Sequence, residues 1–364
     1  MSSPDIDFFV NKKKHDLNLG KEIIEILDDT GYLHFHQQVS GYAPTPLHKL
    51  KSLARELEVK DIFVKDESNR FGIQAFKALG ASYAVYKILQ ERTGKITFCT
   101  ATDGNHGRAL AWASRMNNCK CEVFVPVNTS IERINHIRSE GANVSIVDGH
   151  YDEAVKEARA FASQDTNHIL VQDSSWEGYN KIPAFIMAGY QTMLKEAEGN
   201  IPAPVVVIVQ GGVGSFPAAV AWYCAKCCRE TKIIVTEPYH SDCILTSMKN
   251  GYLSSTQKSQ KTIMAGLNCG TPSLLAYEIL RSLGDVFISI PEENCKKAMK
   301  MYHQPLAGDT PVESGESGAT GLATLLAIVK NDLWEELGIC RASSFLLFNT
   351  EGYTDKAHAL EILE

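Results

Sequence analysis

The first candidate for chemistry in this chain is a lysine with apolar neighbours. Lys77 is surrounded along the sequence by Phe76, Ala78 and Leu79. Because desolvation disfavours the ammonium form, these neighbours predict a lowered pKa for the Lys77 amine. An amine of that kind can form a Schiff base with a carbonyl compound. The alternative is a structural lysine whose stem packs while its ammonium group reaches solvent, and Lys77 taken alone fits this alternative better.

A glycine-rich turn later in the chain could hold a phosphate. It follows a continuous apolar stretch, residues 205–209, and precedes a predicted helix over residues 217–229. Glycines let successive backbone amides turn toward one point, and the start of a helix adds partial positive charge. The turn lacks the Lys-Ser/Thr pair of a P-loop and the complete dinucleotide-binding motif, so an ordinary strand-to-helix turn explains it about as well. This segment, named the glycine turn below, consists of Gly211, Gly212, Val213, Gly214 and Ser215.

A polar turn at the start of another predicted helix could bind a carboxylate. Its residues are Thr102, Asp103, Asn105 and His106, and the helix is predicted over residues 104–116. The first amides of a helix have no partner within the helix and attract anions. The alternative is that Thr102 or Asp103 only caps the helix.

Short apolar strands alternate with amphipathic helices, and this alternation positions the candidate residues. Between residues 95 and 172 the pattern indicates a small parallel-sheet unit. A second run starts at residue 181, and Thr350 follows a late strand. The sequence therefore predicts two α/β units with a cleft between them, where ligands commonly bind. The predicted strands are residues 62–65, 96–100, 121–126, 143–147, 169–172, 204–210, 232–236 and 345–349, and the predicted helices are residues 104–116, 131–140, 151–162, 181–196 and 217–229.

The composition argues against several classes of protein. The chain has 364 residues, of which 44% are hydrophobic, and a formal net charge of -7. An acidic chain is a poor candidate for binding nucleic acid or an anionic membrane, and no apolar run approaches the ~18 residues of a membrane span. Because the N-terminus shows no signal pattern, we expect the 10 cysteines to be reduced thiols in a cytoplasmic protein. The cysteines at 119–121 and 224–228 lack partners at zinc-binding spacing, so we expect no metal site.

The candidate segments and their order resemble the fold-type II pyridoxal-phosphate (PLP) enzymes, which include tryptophan synthase β, threonine dehydratase and serine racemase. The resemblance implies PLP as the cofactor, a homodimer, and an α/β fold with two parallel or mostly parallel domains and the active site in the cleft between them. It assigns residues 1–94 and 173–364 to a large cofactor-binding domain and residues 95–172 to a small α/β domain. The matching segments are residues 45–47, the surroundings of Lys77, and residues 103–107, 211–214, 316–319 and 350–352.

Within this family the chain looks like the diaminopropionate ammonia-lyases. The glycine turn departs from that group, because Gly211 and Ser215 stand where alanine is expected, and Phe216 and Pro217 where small residues are expected. The departure bears on how the following helix begins, but the cradle glycines remain. The segments that carry the likeness are residues 69–72, 101–108, 171–173, 176–179, 181–183, 263–267, 269–270 and 314–319.

The resemblance implies a role for each candidate residue. Lys77 would hold the cofactor as a Schiff base and then act as acid and base on one face of it, while the amides of the glycine turn would bind its phosphate. Asn105 would hydrogen-bond the ring hydroxyl. Thr350 would face the ring nitrogen, where a neutral hydroxyl favours elimination over transamination. Thr102, Asn105 and His106 would bind the substrate carboxylate.

Two carboxylates favour a substrate that has a second amine. Asp103 occupies a position where serine racemases and dehydratases usually carry a small residue. Its carboxylate could remove a Cα proton from the face opposite Lys77 and attract a second ammonium group. Asp173 is a further candidate for binding the distal amine, although the ordering of a loop is slightly favoured for it. We therefore expect elimination of ammonia from D- or L-2,3-diaminopropionate, giving pyruvate and ammonia.

Two alternatives stay open. A serine/threonine dehydratase-like lyase or a β-replacement synthase would keep the fold, but a hydroxyl leaving group gives no reason for the carboxylate of Asp103. A non-catalytic small-molecule-binding homologue would keep the fold without the chemistry. The joint presence of Lys77, Asn105 and the glycine turn argues against that homologue.

Overall fold

The structure is a computed structural model that describes residues 6–102, 104–203, 205–228 and 230–364. Three positions used in the sequence analysis lie outside the described residues: Asp103, Pro204 at the predicted start of a strand, and Arg229 at the predicted end of a helix. Among the described residues, no helix is long and apolar enough to cross a membrane.

The elements follow one another in an α/β order. The strands are β1 (Asp7–Val10), β2 (Leu47–Lys49), β3 (Asp61–Asp66), β4 (Thr97–Ala101), β5 (Lys120–Pro126), β6 (Asn143–Val147), β7 (His168–Leu170), β8 (Val205–Gln210), β9 (Lys232–Pro238), β10 (Val286–Ile290) and β11 (Ser344–Asn349). The helices are α1 (Lys21–Asp28), α2 (Gly31–Gln38), α3 (Lys51–Glu56), α4 (Lys77–Glu91), α5 (Asn105–Met116), α6 (Ile131–Ser139), α7 (Tyr151–Ala162), α8 (Lys181–Ala197), α9 (Ser215–Cys227), α10 (Cys243–Asn250), α11 (Leu274–Leu283), α12 (Glu292–His303), α13 (Thr320–Lys330) and α14 (Lys356–Leu363).

Within the described part of the chain, the strands form two sheets. The larger sheet has seven strands in the order β1-β10-β9-β8-β11-β3-β2, and the smaller has four in the order β6-β5-β4-β7. All pairs in the smaller sheet are parallel, and in the larger sheet only the edge strands β1 and β2 pair antiparallel. The predicted α/β fold with mostly parallel sheets is therefore confirmed.

The central strands are apolar because helices cover both faces of the larger sheet. In β8, Val206 and Ile208 contact one apolar cluster, while Val207 and Val209 contact another on the opposite face. Successive side chains of a strand point to opposite faces, so a strand covered on both sides reads as a continuous apolar run. This is the physical reason why the apolar pattern of the sequence predicted β8 and β11.

The helix that begins at Lys77 is held close to α8 by two glycines. A Cβ atom on Gly189 would lie 2.5 Å from the backbone oxygen of Leu79, and one on Gly80 would lie 2.5 Å from the ring of Tyr190. Real atoms do not approach so closely, so these glycines permit a contact that larger residues would prevent. The contact fixes the position of the first turn of α4, and hence of Lys77.

A buried ion network secures the segment before α4. Arg70 donates from Nε to Glu67 Oε2 at 2.7 Å and from Nη1 to Glu196 Oε1 at 2.9 Å. Lys65 donates from Nζ to the second oxygen of Glu196 at 2.6 Å. Their side chains are at most 2% exposed. Because each buried charge has a partner of opposite sign, the network ties β3 and the Arg70 turn to the end of α8.

Two element boundaries differ from the sequence prediction in ways that matter for the site. The helix predicted from residue 217 begins at Ser215, since Pro217 falls in the first turn, where a missing amide hydrogen is tolerated. The strand predicted over residues 169–172 is His168–Leu170, so it ends three residues before Asp173, which lines the site.

Candidate active site

A cavity lies where the two sheets approach each other. Parallel strands β4, β8 and β11 end at it, and helices α4, α5 and α9 begin at it. This is the edge at which ligands bind in open α/β sheets. Residues from both sheets line it, including Lys77, Thr102, Gly104, Asn105, His106, Arg133, Tyr151, Asp173, Gln210, Gly212, Val213, Gly214, Ser215, Gly266, Ser317, Thr350 and Glu351.

Lys77 contacts a carboxylate that lies 96 residues away in sequence. Lys77 Nζ donates to Asp173 Oδ2 at 2.5 Å, and the two side chains are 17% and 7% exposed. Burial alone would lower the pKa of the Lys77 amine, but the Asp173 carboxylate more than offsets it and raises that pKa. Burial would raise the pKa of Asp173, and the Lys77 ammonium lowers it to about 2. The predicted lowering of the Lys77 pKa is therefore wrong, because the sequence neighbours of Lys77 did not reveal this partner.

The position of Asp173 bears on both roles considered for it. Its carboxylate points at the Lys77 amine, and only its backbone oxygen takes part in ordering, as the acceptor for the Ser215 hydroxyl. The side chain is thus available to a cationic group at the floor of the cavity.

His106 lies beside this pair with a neutral ring. Its Nε2 contacts Val171 O at 2.8 Å, and because a carbonyl only accepts, Nε2 carries the hydrogen. Burial lowers the pKa of His106, so Nδ1, which lies 4.0 Å from Asp173 Oδ2, is left without a hydrogen. In this state the ring offers no N–H to a carboxylate at Nδ1, which leaves the backbone amide as the donor of His106, and its predicted binding of the substrate carboxylate stays a prediction.

The glycine turn presents a series of free amides. In the part of the chain that the structure describes, the amides of residues 212–216 donate to no protein acceptor. Gly214 has a φ of 98°, a conformation that favours glycine, and it turns the chain into α9. Gly211 departs from the prediction, because its amide donates to Thr236 O at 2.8 Å and is not available. Four amides of the predicted set remain, at the N-terminus of a helix, which suits a phosphate.

The backbone amides at the start of α5 are a second candidate site for an anion. Among the described residues, the amides of Asn105 and His106 have no acceptor. Thr102 Oγ1 accepts from the amides of Gly104 at 2.9 Å and Gly107 at 3.2 Å. Thr102 therefore caps the helix, as the alternative interpretation held, and it also lines the cavity. The helix start can receive a carboxylate through its backbone.

The far wall of the cavity comes from the end of β11. Thr350 lines the cavity, and its backbone oxygen accepts from the amide of Phe76 at 3.1 Å, which links this wall to the Lys77 turn. Next to it, Glu351 Oε2 accepts a hydrogen bond from Asn105 Nδ2. The sequence analysis missed Glu351. The signal that could have found it is a carboxylate directly after a buried strand that ends at the site.

The cavity fits the PLP that the sequence resemblance implies. An amine for a Schiff base, a cradle of free amides for a phosphate, an amide side chain and a small hydroxyl all line the same space. Together these groups match the aldehyde, phosphate, ring hydroxyl and ring nitrogen of that cofactor.

Comparison with known proteins agrees with this geometry. Residues 39–337 match the family described as pyridoxal-phosphate dependent enzyme. The diaminopropionate ammonia-lyase of Salmonella typhimurium is 37% identical, with 96% of this chain and 95% of that protein covered. The Escherichia coli K12 diaminopropionate ammonia-lyase is also 37% identical, with 90% and 89% covered.

Solved structures show the same likeness. The Escherichia coli diaminopropionate ammonia-lyase in complex with an aminoacrylate-PLP azomethine reaction intermediate superposes with a TM-score of 0.88 at 35% identity, covering 99% of this chain and 97% of that one. Threonine deaminase isoform 2 of Solanum lycopersicum gives a TM-score of 0.79 at 18% identity and 99% and 98% coverage, a likeness of fold alone.

Proposed function

This chain belongs to the family of pyridoxal-phosphate-dependent enzymes, and we propose that it eliminates ammonia from D- or L-2,3-diaminopropionate to give pyruvate and ammonia. It is a carbon–nitrogen lyase with PLP as its cofactor. The observation that carries the proposal is the Lys77 amine held against the Asp173 carboxylate, in a cavity that both the glycine turn and the start of α5 line. The likeness to diaminopropionate ammonia-lyases along nearly the whole chain supports it.

Carboxylates in and beside the cavity suit this substrate. A β-ammonium group is already protonated and leaves as neutral ammonia, so it needs a counter-charge more than it needs an acid. Asp173 contributes a carboxylate to the lining, and Asp103 adds a second in the adjacent sequence. A hydroxyl leaving group would gain nothing from these charges.

Each residue of the site has its own role in the proposed reaction. When bound, PLP supplies an electron sink that stabilises the negative charge left at the substrate Cα. Lys77 Nζ removes the Cα proton of the L isomer, and Asp173 stabilises the ammonium group that results. Asp103 removes the Cα proton of the D isomer from the opposite face. The amides of Asn105 and His106 hold the substrate carboxylate, and those of residues 212–215 hold the cofactor phosphate.

The test is release of pyruvate and ammonia from the two diaminopropionate isomers, with D- and L-serine and L-threonine as controls. We expect turnover of diaminopropionate to exceed that of the hydroxy amino acids. Faster turnover of serine or threonine would replace the proposal with a dehydratase. Protein that stays colourless after addition of PLP would indicate a non-catalytic homologue.

Replacing Asp103 distinguishes its role as a base from that of Lys77. Because a positioned base contributes ~10²–10⁴ in rate, Asp103→Asn should lower turnover of the D isomer by that order and largely spare the L isomer. Equal losses for both isomers would mean that Asp103 only binds substrate.

The proposed setting is a homodimer that acts in amino-acid catabolism in the cytoplasm. None of the ten cysteines forms a disulfide in the described part of the chain. The dimer is expected from the family resemblance, and light scattering of the purified holoenzyme measures its mass directly.

A further inference from the structure

Glu351 lies between two hydrogen-bond donors at the wall of the cavity. Its Oε2 accepts from Asn105 Nδ2, and its Oε1 accepts from the backbone amide of Ser317 at 3.0 Å. The residue is 3% exposed, so solvent does not supply substitute partners. Both carboxylate oxygens are therefore committed, one to a side chain that lines the cavity and one to the loop that precedes α13.

The contact decides which way the Asn105 amide faces. An asparagine side chain has a donor end and an acceptor end of nearly the same shape, whereas an ionised carboxylate can only accept. With Glu351 as neighbour, the nitrogen of Asn105 must face Oε2, and its second N–H stays free to donate. We propose that Glu351 is a positioning residue that fixes Asn105 as a hydrogen-bond donor to the ring oxygen of the cofactor. This inference rests on the proposed contact between Asn105 and that oxygen.

The backbone of Glu351 is held in the same frame as the Schiff-base lysine. Glu351 pairs with Ala75 in an isolated antiparallel bridge, and the amide of Gly352 donates to Gln74 O at 3.0 Å. Its own carbonyl accepts from the amide of Gly315 at 3.1 Å. The backbone of Glu351 is therefore paired with Ala75, two residues before Lys77, and its carboxylate relates the position of Asn105 to that segment.

Only a carboxylate satisfies both donors at once. Glutamine offers one oxygen and one NH₂ group, so Glu351→Gln must leave either Asn105 or the Ser317 amide facing a donor. If the NH₂ group faces Asn105, the Asn105 amide turns over and presents its oxygen to the ring oxygen. The substitution keeps the shape of the side chain and changes the direction of donation.

The experiment is a double-mutant cycle on the PLP-bound protein with Glu351→Gln, Asn105→Ala and the double variant. The readouts are the dissociation constant for PLP, from fluorescence titration of the apo-protein, and the absorption spectrum of the bound cofactor. A hydrogen bond to a charged group corresponds to a loss of about 10-fold in affinity, which we expect for Glu351→Gln together with altered absorption bands. In the Asn105→Ala background Glu351→Gln should change neither readout further.

Additive effects would overturn the inference, because they would mean that Glu351 only fastens the Ser317 loop. Glu313→Gln is the matched control, since Glu313 Oε1 binds the Tyr353 amide at 3.3 Å near the same wall without lining the cavity. It should leave affinity and spectrum unchanged, and a Glu313 effect equal to that of Glu351 would also count against the inference.

A second background keeps the test decisive if Glu351→Gln folds poorly. Asn105→Asp places a carboxylate opposite Glu351, so adding Glu351→Gln there supplies a donor and should raise PLP affinity several-fold. A further fall in affinity would contradict the contact.

The outcomes also separate this inference from the proposed function. If Asn105→Ala leaves PLP affinity and spectrum intact, the inference fails, while pyruvate release from diaminopropionate still decides the function. A non-additive cycle in a protein that does not release pyruvate would keep the inference and remove the function.

Discussion

Replacing Asp173 with asparagine tests the centre of the site. The substitution preserves shape and removes the charge that lies 2.5 Å from Lys77 Nζ. At an effective dielectric constant of ~20, two unit charges at that separation attract by about 7 kcal/mol before desolvation is counted. The cost of burying the two charges reduces this attraction. Removing one partner of a buried ion pair therefore costs about 3–5 kcal/mol of interaction free energy.

The loss should appear in the step that creates the Lys77 ammonium. Taking the lower figure of about 3 kcal/mol, turnover of L-diaminopropionate should fall about 150-fold. In the apo-protein, burial would then act without compensation, and the pKa of the Lys77 amine would fall below its usual value. Its labelling by an amine reagent should therefore begin at lower pH than in the unsubstituted protein.

The assay combines steady-state pyruvate release with the pH dependence of Lys77 labelling, followed by mass spectrometry. Asp242→Asn is a matched control, because Asp242 Oδ2 lies 2.6 Å from Lys258 Nζ in a comparable pair that does not line the cavity. Turnover of the L isomer within threefold of the unsubstituted enzyme, or labelling that begins at higher pH, would refute the assignment of Asp173 as the partner that stabilises the Lys77 ammonium.

Three further predictions concern stability. Arg70→Met should lower the free energy of unfolding by about 3–5 kcal/mol, measured by chemical denaturation, because it leaves the buried Glu67 carboxylate without its cationic partner; a change below about 1 kcal/mol would show that the network relaxes. Burial and the charge of Glu351 raise the pKa of Glu316 to about 7, so this group contributes stability below pH ~4.5 that is lost as the pH rises through 7, up to about 3 kcal/mol. Glu316→Gln should remove that pH dependence, and persistence of the full slope would locate it elsewhere. Gly189→Ala should cost about 1–3 kcal/mol by overpacking against the Leu79 carbonyl and weaken PLP binding through the displaced Lys77 turn, whereas Gly20→Ala, which meets nothing within 4 Å, should be tolerated.

Much of the fold could be read from local patterns. The continuous apolar runs of β8 and β11 indicated buried parallel strands. The helix Tyr151–Ala162 has the bounds that its apolar periodicity predicted. The candidate residues Lys77, Asn105 and Thr350 all line the cavity. Each lies where a strand ends or a helix begins, and such places are visible in sequence because the period of apolar residues changes there.

The contacts between distant segments could not be read in this way. The pKa of Lys77 was predicted in the wrong direction, since its nearest charge belongs to Asp173, at the end of another sheet. Gly211 looked like the first residue of the phosphate cradle, yet the pairing of β8 with β9 commits its amide to Thr236. Glu351 was not predicted as a site residue, because its role depends on a hydrogen bond from Asn105, 246 residues away in sequence.

The sequence by itself determined the alternation of strands and helices, the lysine, the glycine turn and the likeness to PLP enzymes. The tertiary structure decided which amides are free, which charge faces Lys77 and which side chain orients Asn105. The reason is physical: backbone propensity and apolar periodicity act over a few residues. The pairing of donors with acceptors is set by the order of strands in the two sheets, which brings segments about 100 or more residues apart within hydrogen-bonding distance.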